Sequence, residues 1–361
     1  MFLICGTATS AWAPMIPFVK ARLGLDERTL GLLLLVFGGG SMVAMPLAGL
    51  AIHVWGSRRV VAIASLAGCA ALPLLAARLD TAQLAITLFV FGAALGALDV
   101  AMNAQALAVQ HAAGRPIMSG FHALFSVGGL AGAAVVSVLL RTGLGLGQSA
   151  LGIALVLGAV ALWQRPHFIA DHGTSETSSF TIVPKPAVLI LGALCFMCFL
   201  GEGAVLDWSA VFLREHRQVD VSLAGVGYAA FSVAMAMMRM AGDRLTHRTG
   251  SARTLRIGGT LAAIGYLAVA AIPSAAGALA GFVVVGIGAA NIVPILFSAS
   301  GRVPGVPPGI GLATVTTIGY AGLLLGPAGI GFVAKATSLQ CAFVLVAAMF
   351  AAIAASARAA R

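Results

Sequence analysis

Twelve apolar stretches, each about the length of a membrane span, fill this chain of 361 residues almost from end to end. A segment immersed in hydrocarbon must satisfy its own backbone hydrogen bonds, which leaves only helices and closed barrels. None of the stretches alternates apolar and polar residues as a barrel strand does, so the chain reads as an all-α polytopic membrane protein. Its 60% hydrophobic content, 9% charged content and mean hydropathy of +1.03 agree, because such a chain could not keep a soluble surface wet. The stretches fall at 1–20, 28–53, 59–78, 82–108, 117–140, 146–164, 187–213, 221–242, 253–273, 276–299, 309–333 and 338–357. The longest hydrophilic run, 164–185, is rich in Ser, Thr and Pro and far too short for a domain. The expected organisation is a six-helix bundle over 1–164, a cytoplasmic linker over 165–186 and a second six-helix bundle over 187–361.

A net charge of +10 suggests nucleic acid in a soluble protein; here its distribution along the loops matters instead. With both termini inside, the inner loops and tail carry twelve Lys and Arg against eight outside, with Arg239 left in a helix. The positive-inside rule therefore expects both termini in the cytoplasm of a bacterial cell, with the protein in its inner membrane and no nucleic-acid partner. Cys5, Cys69, Cys195, Cys198 and Cys341 lie in apolar stretches, so neither a disulfide framework nor a metal site is expected. Cys195-x-x-Cys198 has redox spacing but no companion motif. Met1 opens directly on apolar residues without a basic n-region, so the first stretch is expected to be a membrane helix despite the cleavage-like Ala11-Trp12-Ala13.

Where the second stretch of each half ends, a short basic loop recurs. The first copy runs Gly49-Leu50-Ala51-Ile52-His53-Val54-Trp55-Gly56-Ser57-Arg58-Arg59, and the second runs from Gly242-Asp243-Arg244 through His247-Arg248-Thr249-Gly250-Ser251 to Arg253. Gly56-Ser57 and Gly250-Ser251 correspond at an offset of 194. Glycines of the fifth stretch (Gly128, Gly129, Gly132) echo those of the eleventh (Gly319, Gly322, Gly326), and such small residues let helices approach closely. Over its whole length the chain thus resembles the major facilitator superfamily, whose motif A these loops are similar to. The resemblance implies two bundles related by a pseudo-two-fold axis along the membrane normal and a cytoplasmic gate. That gate would be built from Gly49, His53, Gly56, Arg58, Arg59, Arg239, Asp243 and Arg244, with His53 standing where an Asp is expected and Arg239 supporting Asp243 from one turn away. Asp99-Val100-Ala101-Met102-Asn103, the run from Arg115-Pro116 to Gly128-Gly129, and Gly201-Glu202-Gly203 with Asp207-Trp208-Ser209 resemble the bacterial branch of YbjJ-like and MosC-like proteins. The fifth stretch lacks the Gly-Pro motif of multidrug antiporters.

Ionisable residues inside a span cost about 2.5 to 3.5 kcal/mol at its centre, so each needs a reason to be there. Glu202 lies near the middle of the seventh stretch between two glycines and is the first candidate for a proton-coupling carboxylate, with Asp99 and Asp207 behind it. Five residues turn a helix by about 500°, which sets Asp207 about 140° away from Glu202 and toward the outer rim. Asp99 and Asn103, four residues apart, share a helix face, and His122 lies level with Asn103 if the fourth and fifth helices form a hairpin. Asn103, His122, Asn291 and Trp12 are the candidate substrate contacts, while Gln105 faces away from Asp99.

No GxxxxGK[ST], HExxH or GxSxG occurs, so neither a nucleotide-driven pump nor an enzyme is expected, and no cofactor is called for. The expected activity is secondary active transport by alternating access, coupled to protons, with the lipid bilayer as surroundings and the monomer as the working unit. The solute class is small and polar: a sugar, cyclitol or organic acid. An exporter of amphipathic compounds and a non-transporting receptor of the same fold are the alternatives. If the repeat is real, single cysteines placed in loops 53–59 and 243–253 are labelled by an impermeant thiol reagent from the same side of the membrane. Labelling from opposite sides ends the assignment.

Overall fold

The computed structural model describes residues 1–25, 27–77, 80–170, 185–219 and 226–360; most of the polar linker, 171–184, lies outside the described residues. Every regular element among the described residues is helical. In chain order they are α1 (Phe2–Ala11), α2 (Ile16–Leu23), α3 (Glu27–Trp55), α4 (Ser57–Ala76), α5 (Thr81–Ala113), α6 (Met118–Arg141) and α7 (Leu146–Gln164). The second half continues with α8 (Pro186–Arg217), α9 (Val226–Thr249), α10 (Ser251–Ala271), α11 (Ala275–Ala289), α12 (Ile292–Ser300), α13 (Pro308–Ala336) and α14 (Leu339–Ala355).

Nine helical segments among the described residues are long and apolar enough to cross a membrane. The remaining three of the twelve apolar stretches fall short on physical grounds. The first is broken at Trp12–Met15, where Pro14 sits in a single 3₁₀ turn between α1 and α2. The eighth, α9, carries Arg239, Asp243, Arg244 and Arg248 in its last three turns, and the twelfth, α14, has 17 residues. The tenth apolar stretch is also broken: Asn291 stands between α11 and α12 at φ −105°, ψ 0°, the sparsely allowed bridge region.

The chain divides into two compact units. The first holds residues 1–112, 124–183 and 307–313, and the second 113–123, 184–306 and 314–361. Helix α6 therefore begins in the second unit and continues in the first, and α13 does the reverse.

Within each unit, glycines set the closest helix crossings, and they recur at the 194-residue offset. In the first unit a Cβ on Gly92 of α5 would overlap the carbonyl of Phe37 on α3; in the second, one on Gly286 of α11 would overlap the carbonyl of Phe231 on α9. Gly128 and Gly132 of α6 press on the α1 backbone at Leu3 and Thr7, and Gly322 of α13 presses on the α8 backbone at Phe196, with Gly326 in ordinary contact range of Leu200. Ser41 of α3 fastens the first crossing by donating to the Gly92 carbonyl at 2.8 Å. The loop glycines obey the same offset: Gly56 (φ 80°, ψ 154°) and Gly250 (φ 81°, ψ 151°) share one conformation that strongly favours glycine.

No disulfide joins the five cysteines; four are buried, and Cys341, in the first turn of α14, is exposed.

Gly92→Ala must push α3 and α5 apart and is expected to destabilise the protein by about 1–3 kcal/mol. Gly129→Ala meets nothing within 4 Å and should be neutral or slightly stabilising, since alanine favours a helix interior. Thermal unfolding of the two variants in detergent checks this, and equal shifts would contradict the crossing geometry.

Candidate functional site

The second unit gathers its buried polar side chains around the break between α11 and α12. Glu202 sits midway along α8, held between Gly201 and Gly203, and its carboxylate lies 3.9 Å from the Arg239 guanidinium of α9. Both side chains are largely withdrawn from solvent, at 16% and 9% exposure, so this is a buried ion pair. Cys198, one turn before Glu202, donates its thiol to the carboxylate at 3.6 Å, and Tyr266 of α10 donates its hydroxyl to the Gly201 carbonyl at 2.5 Å. Arg239 also donates from Nε to the carbonyl of Ala290 at 3.2 Å. That carbonyl lies at the helix break, and an unmet backbone acceptor in an apolar interior is costly.

The next turn of α9 carries the contact to α6. Asp243 accepts the backbone N–H groups of Ser119 at 2.8 Å and Gly120 at 2.7 Å. These are among the first amides of α6, which have no partner inside the helix, and a carboxylate placed there both caps them and meets the positive end of the helix dipole. Gly242 lies against the break: a Cβ there would overlap the Asn291 side-chain amide and crowd Ser119. Only a residue without a side chain lets α9 and the broken helix meet in this way. His122, on the next turn of α6, packs its ring 5.8 Å from Phe297 of α12.

Asp99, Asn103 and Trp12 belong to the first unit. Asp99 is buried, and Asn103 donates to its backbone carbonyl at 2.8 Å and weakly to its carboxylate at 3.5 Å. Asp99 Oδ2, Asn103 Oδ1 and Trp12 Nε1 are buried without a hydrogen-bond partner among the described residues, as are Asn291 Oδ1 and Thr246 Oγ1 in the second unit. Gln105 turns away to bridge the start of α4 and the segment after α7, donating to Ser57 Oγ at 2.7 Å and to the Ile169 carbonyl at 2.9 Å.

Two expectations change in detail. Arg239, expected to support Asp243, turns to Glu202 because Asp243 spends its oxygens on the α6 amides. Asp207 is exposed, five residues along α8 from Glu202, in keeping with its expected place away from that carboxylate. The matching backbone of Gly56 and Gly250 makes Gly49, rather than His53, the repeat counterpart of Asp243, and His53 that of His247. Gly49 does the same packing without charge: a Cβ there would lie 2.5 Å from the Ala313 Cβ at the start of α13. Arg58, Arg59 and Arg244 lie in or beside these two loops as expected. The amides of Ser119 and Gly120 went unnoticed in the sequence because backbone groups leave no residue signal. Cys198 could have been found, since it lies one turn from Glu202 on the same face.

This architecture has close counterparts among known proteins. The model of the Major Facilitator Superfamily matches residues 1–310, and the chain belongs to that family. An MFS-type transporter of Yersinia pestis is 46% identical over 358 residues, covering 99% of this chain and 93% of that protein. Membrane protein MosC of Rhizobium meliloti is 36% identical over 349 residues, covering 96% and 84%. Among solved structures, a variant of the E. coli fucose:proton symporter FucP aligns with a TM-score of 0.82 at 16% identity, covering 100% of this chain and 96% of that one. The proton:xylose symporter XylE aligns at 0.75 and 13% identity, covering 98% and 92%. The chain is thus a multi-pass membrane transporter of the MFS type.

Removing the cap tests the geometry. Asp243→Ala should destabilise the protein by about 0.5–2 kcal/mol, and Asp243→Asn by less, because Asn keeps one acceptor for the α6 amides. Thermal unfolding checks the order; an Asn variant as damaged as the Ala variant points to charge alone.

Proposed function

We propose that this chain is a proton-coupled secondary transporter of a small polar solute, of the sugar, cyclitol or organic-acid class, with Glu202 as the coupling carboxylate. The observation that carries the reading is the buried Glu202–Arg239 pair beside the break at Ala290–Asn291. A buried ion pair is held by mutual attraction against a large desolvation cost, so removing one of the two charges is felt strongly. A proton arriving on Glu202 cancels that attraction, while the hydrogen bond from Arg239 to the carbonyl at the break remains. Arg239 and Asp243 are one turn apart on α9, and Gly242 between them abuts Asn291. A shift of α9 on protonation therefore reaches the cap on α6 without an intermediary. We assign Gly49, Gly56, Arg58, Arg59, His53, Asp243 and Arg244 to the cytoplasmic gate in this scheme.

Buried polar atoms without partners support a polar solute. Trp12, Asp99 and Asn103 in one unit and Asn291 in the other offer hydrogen-bonding capacity that an apolar cargo would leave unmet. We place Asp99 as a second carboxylate on the proton route and Asp207 at its rim. FucP and XylE, which share the fold, are named for proton-coupled movement of a sugar. The working arrangement in this reading is two bundles, 1–164 and 187–361, rocking about a central site in the bacterial inner membrane, with both termini and the 165–186 linker in the cytoplasm.

Uptake by proteoliposomes of labelled hexoses, cyclitols and hydroxy acids under an imposed proton gradient tests the whole reading. Glu202→Gln keeps the shape and hydrogen bonding of the side chain but cannot ionise. It should abolish gradient-driven accumulation while leaving counterflow exchange of the same solute largely intact. Equal loss of accumulation, exchange and folding marks Glu202 as structural, and unchanged accumulation moves coupling to Asp99 or Asp207.

A further inference from the structure

We propose that Cys198 is the positioning residue of Glu202: its thiol fixes which carboxylate oxygen faces Arg239 and so ties the orientation of the side chain to its charge. This role rests on the reading of Glu202 as the coupling carboxylate. The two oxygens of Glu202 have different partners. Oε2 lies 3.9 Å from Arg239, and Oε1 accepts the Cys198 thiol at 3.6 Å. At 3.9 Å the guanidinium attracts the carboxylate without hydrogen bonding to it, an attraction that depends on distance and sets no direction. Sulfur's larger radius makes 3.6 Å a bonding distance, and the thiol is the one hydrogen-bond donor that the carboxylate meets among the described residues. The aim of the side chain therefore comes from Cys198.

Cys198 and Glu202 are four residues apart and share a face of α8. Cys198 is fully buried, so its thiol must find its acceptor within the protein. The backbone that carries Glu202 is gripped from three other helices of the second unit. A Cβ on Gly201 would overlap the Phe350 ring of α14, one on Gly203 would lie 3.2 Å from Leu323 of α13, and Tyr266 of α10 donates to the Gly201 carbonyl. A change of charge is therefore taken up by the side chains of Glu202, Cys198 and Arg239. The ionisable groups around the carboxylate are Arg239 of α9 with His122 of α6 beyond it, Tyr266 of α10, and Cys198 and Cys195 of α8 itself. Helices α11 and α12 contain no ionisable side chain. An ionised carboxylate is a strong acceptor for the thiol, whereas a protonated one is a weak acceptor and itself a donor. Protonation thus frees Cys198 to bond back to the Leu194 carbonyl one turn earlier, and Glu202 loses the contact that held Oε2 toward Arg239.

Infrared difference spectroscopy of the full chain in detergent tests the role. The S–H stretch falls in a region clear of other protein bands, and subtracting the Cys198→Ala spectrum isolates the Cys198 band. That band should be broad and low in frequency in the wild type and move up in Glu202→Gln, whose neutral amide oxygen is a weaker acceptor. The two carboxylate stretches of Glu202, isolated by subtracting Glu202→Gln, should separate further in Cys198→Ala, because one oxygen then loses its partner. They should close again in Cys198→Ser, which returns a donor. A Cys198 band at one frequency with either Glu or Gln at position 202, or carboxylate bands unmoved by Cys198→Ala, overturns the proposal. If the Cys198 variants do not fold, wild type and Glu202→Gln still decide, since identical S–H regions in the two overturn it. In proteoliposomes Cys198→Ala should lower gradient-driven accumulation several-fold, beyond any loss of counterflow exchange, and Cys198→Ser should recover most of it. Accumulation untouched by Cys198→Ala overturns the part in coupling. If Glu202→Gln accumulates solute as the wild type does, or the wild type accumulates none, the reading of Glu202 as the coupling carboxylate fails, while the spectra still decide what aims its side chain.

Discussion

The constraint behind every part of this structure is that a backbone carbonyl or amide in hydrocarbon has no water to turn to. Long helices answer it for most of the chain, and the informative places are where a helix stops. At Ala290–Asn291 the continuous ladder ends, and Arg239 reaches across from α9 to supply a donor for the stranded carbonyl. At the start of α6 the free amides of Ser119 and Gly120 are met by Asp243. Arg239 and Asp243 of α9 are thus where a helix break or a helix start needs them, and the cost of burying each charge is offset by a backbone group that would otherwise be unmet.

This explains why the polar chemistry of the second unit is concentrated on one turn of one helix. Arg239 faces Glu202 and the break, Gly242 faces Asn291, and Asp243 faces α6. Each contact is short and local, and together they join a titratable carboxylate to a helix cap. Two energies of similar size compete there: an N-cap contributes about 0.5–2 kcal/mol, while leaving one member of a buried ion pair alone costs about 3–5 kcal/mol. The second is larger, so the state of Glu202 outweighs the cap.

The two halves repeat the same backbone and fill it with different chemistry. Gly56 matches Gly250, Gly92 matches Gly286 and Gly128 matches Gly322, each pair doing the same steric work. Yet Gly49 only packs where Asp243 both packs and caps, and arginines crowd the start of α4. Steric demands are symmetric because both halves must bring helices equally close. Electrostatic demands are not, because Asp243 caps the start of α6 while the first turn of α4 carries Arg58 and Arg59 and no acidic residue.

The helical membrane fold was legible in the sequence because hydropathy is a property of single residues summed over a window, and the repeat because glycine marks steric contact one residue at a time. Depth and type alone singled out Glu202, Asp99, Asn103 and Asn291, since an ionisable or amide side chain in a span is rare. Which partners they take was not legible. Arg239 and Asp243 sit one turn apart and read as a pair, but the break at Asn291 and the free amides of α6 draw them to opposite sides. Local spacing determines which residues can meet on one helix. Only the packing of several helices decides which of those meetings is worth more than the alternatives, because the backbone groups that compete for the same side chains come from elements far away in the sequence.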